Sequence, residues 1–250
     1  MTVEISIASA FLPWLTAKQM AEVDRAMIED FGIELIQMME NAGRCLAHLA
    51  RERFLDSDPT RKSVIVLAGS GGNGGGALVC ARRLAGWGAA VRVFATEDAG
   101  GFAAVTEHQL DILRHMEVPV GTAEQASSAP RADLVIDGVI GYSLRNAPHG
   151  PASGLIRWAN TQSAPILSLD VPSGVDTTTG RVFDPAIHAA ATLTLALPKQ
   201  GLRAPGVESL VGELYLADIG VPPSLYRIPS LDLAVGPIFA AGDIVRLRST

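Results

Sequence analysis

The sequence predicts an α/β fold built on a mainly parallel sheet with helices on both faces. Three observations predict it. Short apolar, β-branched runs alternate with stretches of helical spacing, joined by short connections. The run at 64–67 passes through a glycine cluster at 69–76 into a helical pattern carried by Leu78, Val79, Ala81, Arg82 and Leu84. The 250 residues are 48% hydrophobic and 18% charged, enough apolar material for a large core; with aromatics at 5%, that core must be mainly Ala, Val, Leu and Ile.

Taken in order, Thr16 followed by Gln19 forms a capping box ahead of a helix striped by Met20, Val23, Met27 and Ile28. Phe31-Gly32 breaks it. A second helix is expected from 33 or 34 to 54, interrupted or closely packed at Gly43. These two helices either cover a sheet face or make a subunit contact. Within the second, Met39-Glu40-Asn41-Ala42-Gly43-Arg44 mixes polar and small residues in an apolar stretch. That mixture suits helix packing through Ala42 and Gly43, and it equally suits a place beside an active site. Strands follow at 90–96, at 118–120 as a short one, at 134–137 and at 165–170, with late strands at 190–197 and 213–217. Helices are expected at 102–116 and around 155–159. The chain is expected to be one domain over 1–250, with a core of about 15–222 and a proline-rich tail at 223–250 that wraps the surface.

Composition excludes several classes of partner. The formal net charge is -6 and no basic patch stands out, against a nucleic-acid partner. No apolar run is long enough to span a membrane, and residues 1–13 lack the basic start of a signal peptide, so a cytoplasmic protein is expected. Cys45 and Cys80 lie inside apolar helical patterns and read as small buried hydrophobes. His48, His108, His115, His149 and His188 are scattered, which argues against zinc.

The chemistry concentrates at strand ends. Six glycines in the eight positions 69–76 exceed what a structural turn needs. They leave bare N–H groups at a helix N-terminus, whose partial positive charge attracts phosphates. Asp137 and Asp170 each end a strand, and ligands of open parallel sheets bind beyond those ends. A lone strand-end carboxylate is commonly a cap or a loop brace; two beside a glycine loop suggest a site. Asn73, Asp137 and Ser173 supply three oxygens suited to a hard cation. Gly69-x-Gly71-x-x-Gly74 also fits the dinucleotide fingerprint, with Glu97 as a ribose ligand. A dehydrogenase of that kind would need a separate substrate region, for which the chain after Asp170 offers little room.

Met39-Glu-Asn-Ala-Gly-Arg44, the glycine loop with its helix, Asp137 with Gly141, Leu169-Asp-Val-Pro-Ser-Gly174 and Leu197-Pro-Lys-Gln-Gly201 occur in the order seen in the NAD(P)H-hydrate epimerases, and the chain resembles that family, the YjeF N-terminal domain, over about 15–222. The resemblance implies a Rossmann-like three-layer α/β/α sandwich, commonly dimeric through its N-terminal helices. It implies an isomerase of nicotinamide nucleotide repair, interconverting the R and S forms of hydrated NADH and NADPH at C6 of the nicotinamide ring. By that resemblance Gly72, Asn73, Gly74, Gly75 and Gly76 cradle phosphate. Gly141, Tyr142, Ser143, Leu144, Arg145, Asn146 and Ala147 form a second substrate segment, Asp170 is a further substrate contact, and potassium is held by Asn73, Asp137 and Ser173. Asp137 is the first choice for proton transfer, although metal binding competes for its oxygens. Arg145, in the same segment, is an alternative phosphate contact. Lys199 either reaches the site from the next strand end or lies on the surface, and the surface is the expectation. The family's fused dehydratase is missing, so a separate one is a possible partner. Where the family has Asp and then Gly, this chain has Gly76 and Ala77, which removes a charge from the start of the helix. The alternative reading is a non-catalytic nucleotide-binding or protein-interaction module of the same fold.

Overall fold

The computed structural model describes residues 5–7, 12–97 and 100–247. Two helices come first, α1 (Ala17–Glu29) and α2 (Leu35–Phe54). Thr16 caps α1 through the capping box: its hydroxyl accepts from the Gln19 amide at 3.2 Å, and its own amide donates to the Gln19 side chain at 3.0 Å. Helix α2 runs unbroken through Gly43. There the backbone of the next helix approaches so closely that a Cβ would lie 2.4 Å from both the Gly76 carbonyl oxygen and Val79 Cβ.

The sheet then builds outward from β1 (Ser63–Ala68). The chain continues through α3 (Gly72–Gly86), β2 (Ala90–Ala95), α4 (Ala104–His115) and β3 (Val120–Thr122), which step away from β1 on one side. It then returns to β1's other edge with β4 (Leu134–Gly138), α5 (Gly150–Asn160), β5 (Ile166–Leu169) and β6 (Ala191–Leu195). The short helix α6 (Glu208–Val211), β7 (Glu213–Ala217) and β8 (Ile244–Arg246) complete the order β3-β2-β1-β4-β5-β6-β7-β8. Every pairing is parallel except β7 with β8. The order reverses between β1 and β4, and a sheet of this kind opens its ligand crevice at such a reversal.

Alternation along the strands sorts side chains to the two faces. Val64, Val66 and Ala68 of β1 pack with Leu46, Leu49, Leu78 and Leu84 of α2 and α3. Ile65 and Leu67 face the other way, onto Leu155, Ile156 and Ala159 of α5. Helices therefore cover both faces, as expected. The tail does more than wrap the surface. Leu225, Tyr226, Leu231 and Val235 share a buried cluster with Met20, Val23 and Met27 of α1, and β8 adds an antiparallel edge strand. The short third strand begins at Val120, at the end of the stretch expected to form it.

Candidate active site

A cavity of about 830 Å³ opens where the sheet order reverses. Its floor is the strand ends with Asp170 and Lys199. One wall is α1 and α2, through Met20, Asp24, Ile28, Met38, Met39 and Ala42. The N-terminus of α3 and the segment after β4 close it. The helical Met39–Arg44 stretch thus does both things its composition suggested: Gly43 packs against α3, while Met39 and Ala42 face the cavity. Asn41 braces the tail, donating to the Ile219 carbonyl at 3.2 Å.

The first intrahelical bond of α3 runs from the Gly75 amide to the Gly71 carbonyl at 3.1 Å. The amides of Gly71, Gly72, Asn73 and Gly74 are left without a partner in their own helix. Gly71 and Gly72 line the cavity, and added Cβ atoms there meet open space or Met39 at 3.8 Å. The next three glycines have a different cause, and the expectation of an unbroken phosphate cradle at Gly74, Gly75 and Gly76 is corrected accordingly. Added Cβ atoms would lie 1.8 Å from the Gly69 carbonyl oxygen, 2.5 Å from Met39 Sδ and 2.8 Å from Leu169 Cδ2, respectively. These positions are glycine because helix, loop and sheet approach too closely for a side chain; only the Gly74 amide stays among the bare donors. Leu169 and Ala42, the neighbours of Gly76, both line the cavity, so Leu169 fills the space into which the family's carboxylate would project.

Asp137 is fully buried and does not line the cavity. Its register opposite Ser168 on β5 fixes the first partner, the Ser168 hydroxyl at 2.8 Å. The Ser173 hydroxyl donates at 2.6 Å, the Ser173 amide at 2.9 Å and the Val139 amide at 3.2 Å. Burial pushes its pKa up, against the pull of these bonds. Asp137 lies outside the cavity and does not reach a leaving hydroxyl there, and the choice of this residue for proton transfer is corrected. Ser173 also accepts from the Ile140 amide at 2.8 Å, tying the β5 turn to the loop after β4. Asn73 packs against Gly141, where a Cβ would come within 3.1 Å of its amide carbon, and its Nδ2 is buried without a partner among the described residues.

Lys199 is the largest departure from the sequence reading. It is fully buried, not on the surface. Its ammonium donates to Asp170 Oδ1 at 2.5 Å and to the Leu195 carbonyl at 2.7 Å. Asp170 holds a left-handed backbone, φ 65°, as does Ala196 at φ 62°. Asp tolerates that region better than most residues, but such conformations persist only where their surroundings enforce them. The two kinks turn the β5 and β6 ends so that acid and base meet on the cavity floor.

Asp24 was missed by the sequence reading. It enters from the α1 stripe Met20, Asp24, Ile28, spaced by four residues, and accepts from the Tyr142 hydroxyl at 2.5 Å. Burial raises its pKa; the Tyr142 bond and Lys199 partly oppose this. An acidic residue on a helix that looked merely amphipathic carried no signal in isolation. Gly141, Tyr142, Ser143, Leu144, Arg145, Asn146 and Ala147 all line the cavity, as does Glu97. Arg145 makes no ion pair among the described residues.

A crevice at a reversal of strand order and a bare helix N-terminus are the features by which α/β domains of this class take phosphate-bearing ligands. Residues 35–201 match the model of the YjeF-related protein N-terminus family, and the chain belongs to that family. It is 43% identical to the NAD(P)H-hydrate epimerase of Dehalogenimonas lykanthroporepellens, over 94% of this chain and 93% of that protein. It is 34% identical to the bifunctional NAD(P)H-hydrate repair enzyme of Pyrobaculum aerophilum, matching 94% of this chain but 45% of that longer protein. The crystal structure of the yeast protein ynu0 superposes with a TM-score of 0.79 at 25% identity, covering 94% of this chain and all of that one.

Proposed function

We propose that this chain, acting as one YjeF-type domain, is an NAD(P)H-hydrate epimerase that interconverts the R and S epimers of the hydrated nicotinamide ring at C6. The observation that carries this reading beyond kinship is the buried Asp170–Lys199 pair at the floor of a cavity whose rim is the bare amides of α3. The amides of Gly71, Gly72, Asn73 and Gly74 take pyrophosphate, with Arg145, in no ion pair among the described residues, as a cation at the rim. The segment Gly141 to Ala147 encloses the substrate. At the ring, a proton is delivered to the C6 hydroxyl, the C6–O bond breaks and water departs from a nicotinamide-like cation; water then adds to the other face and gives up a proton. Asp170, held by Lys199, accepts the proton of the incoming water and returns it to a departing hydroxyl in the reverse direction.

Potassium fits the residues present. Asn73, Asp137 and Ser173 each carry a side-chain oxygen of the kind a hard cation takes. Asp137 is a buried carboxylate bonded only to neutral donors, so one positive charge would balance it. The ion's contribution there is electrostatic: it would keep Asp137 ionised and draw the start of α3 toward the β4 and β5 loops. Exposed Ile28 and Phe31 near the end of α1 support a homodimer through the N-terminal helices. Among the described residues no helix is long and apolar enough to cross a membrane. A cytoplasmic enzyme served by a separate dehydratase accords with this reading.

The test is incubation of the purified protein with the separated R epimer of hydrated NADH, followed by NMR. Equilibration faster than buffer, and its loss in Asp170→Asn, are expected. An intact fold with no acceleration would reject the reading.

A further inference from the structure

An epimerase must serve both faces of one ring carbon. A group fixed on the cavity floor reaches one face, and the second needs its own. Asp170 rises from the end of β5, whereas Asp24 descends from α1 into the same cavity. Asp24 is held by the Tyr142 hydroxyl at 2.5 Å and is bonded to no cation among the described residues. Asp170, by contrast, is ion-paired to Lys199, whose charge acts on Asp24 without a bond.

Resting on the epimerase reading, we propose that Asp24 is the second catalytic residue, the proton-transfer group for the ring face turned away from Asp170, and that Tyr142 positions it. In one direction protonated Asp24 gives its proton to the C6 hydroxyl. The C6–O bond breaks, water leaves, and the ring becomes a cation. Water then adds to the other face, forming a new C6–O bond, and its proton passes to Asp170. The proton displaced from Asp24 to Asp170 returns through solvent or through a turnover in the reverse direction, so atoms and charge balance. Burial that favours the neutral acid on Asp24, beside a salt-bridged Asp170, is the division of roles expected of an acid and a base sharing one site.

The test separates leaving from inversion. Each epimer of hydrated NADH is incubated in water enriched in oxygen-18, and label uptake is read with stereochemistry. The native protein should exchange label into both epimers and invert both. Asp24→Asn should leave one epimer exchanging with retention, within about threefold of the native rate. Exchange of the other epimer, and inversion of both, should fall by about 100-fold or more. Tyr142→Phe should show the same epimer-selective defect at smaller size. Inversion by Asp24→Asn within threefold of native would overturn the proposal. So would equal loss of exchange in both epimers with ADP-ribose affinity unchanged. A native protein that neither exchanges nor inverts would instead overturn the functional reading beneath it.

Discussion

Lys199→Met is the most revealing single change in this chain. The lysine is fully buried and Asp170 is 3% exposed, so removing the ammonium leaves a carboxylate that water cannot solvate. Breaking a buried pair from one side costs about 3–5 kcal/mol. For a chain of this size each kcal/mol lowers the melting temperature by roughly 2–4 °C, so a fall on the order of 6–20 °C is expected. Asp170→Asn, which strands the ammonium, should also destabilise. The double variant Asp170→Asn with Lys199→Met removes both charges and should recover at least about half of the larger loss, giving a coupling well beyond the roughly 0.5 kcal/mol scatter of independent sites. Urea unfolding of the four proteins, read by circular dichroism, measures this cycle. Epimerisation measured alongside should stay low in all three variants, because regaining stability does not restore Asp170 together with the ammonium that holds it. Additive losses, or a Lys199→Met cost under about 1 kcal/mol, would refute the buried pair.

Three further outcomes test the remaining geometry. Potassium should raise the melting temperature relative to choline at equal ionic strength, by about 1.4 kcal/mol of stability at ten times its dissociation constant, and Asp137→Asn should abolish the difference. Gly43→Ala should cost about 1–3 kcal/mol, since its methyl would lie 2.4 Å from the Gly76 carbonyl oxygen and Val79; chemical denaturation reads this directly. The pKa of Asp24 is raised in the folded state, so its contribution to stability is present below about pH 3.8 and is lost as pH rises through the folded value. Asp24→Asn should therefore gain stability relative to the native protein between pH 4 and pH 8, and a pH series of melting curves showing the opposite slope would contradict that burial.

The sheet was legible because its signals are local. Val64 to Leu67 is apolar and β-branched, and alternation alone sends Ile65 and Leu67 to one face and Val64 and Val66 to the other. The capping box at Thr16 is equally local. The tail was misjudged because Tyr226 and Val235 meet Met20 and Met27 only after some 200 residues of intervening chain. The site divided along the same line. The loops that line the cavity follow motifs, but Lys199 is buried by a turn after β6 that composition does not signal. Asp24 acquires meaning only when Tyr142 reaches it, 118 positions later.

The glycine run shows the limit of motif reading most clearly. Its six glycines look like one device and are two. Gly71 and Gly72 face the cavity and bare amides; Gly69 lies too close to the Val139 carbonyl for a side chain, and the last three allow α3 to sit against Gly69, Met39 and Leu169 without side chains between them. Gly76 therefore does not by itself mark a lost function, because Leu169 occupies the room a carboxylate would take. Gly76→Asp in this chain should destabilise it and leave epimerisation no faster. Pairing it with Leu169→Ala should restore stability by vacating the 2.8 Å contact. If Gly76→Asp alone instead proved neutral to stability and raised activity severalfold, the helix would have room that the packing denies, and the account of these glycines as a close-contact seam would fail.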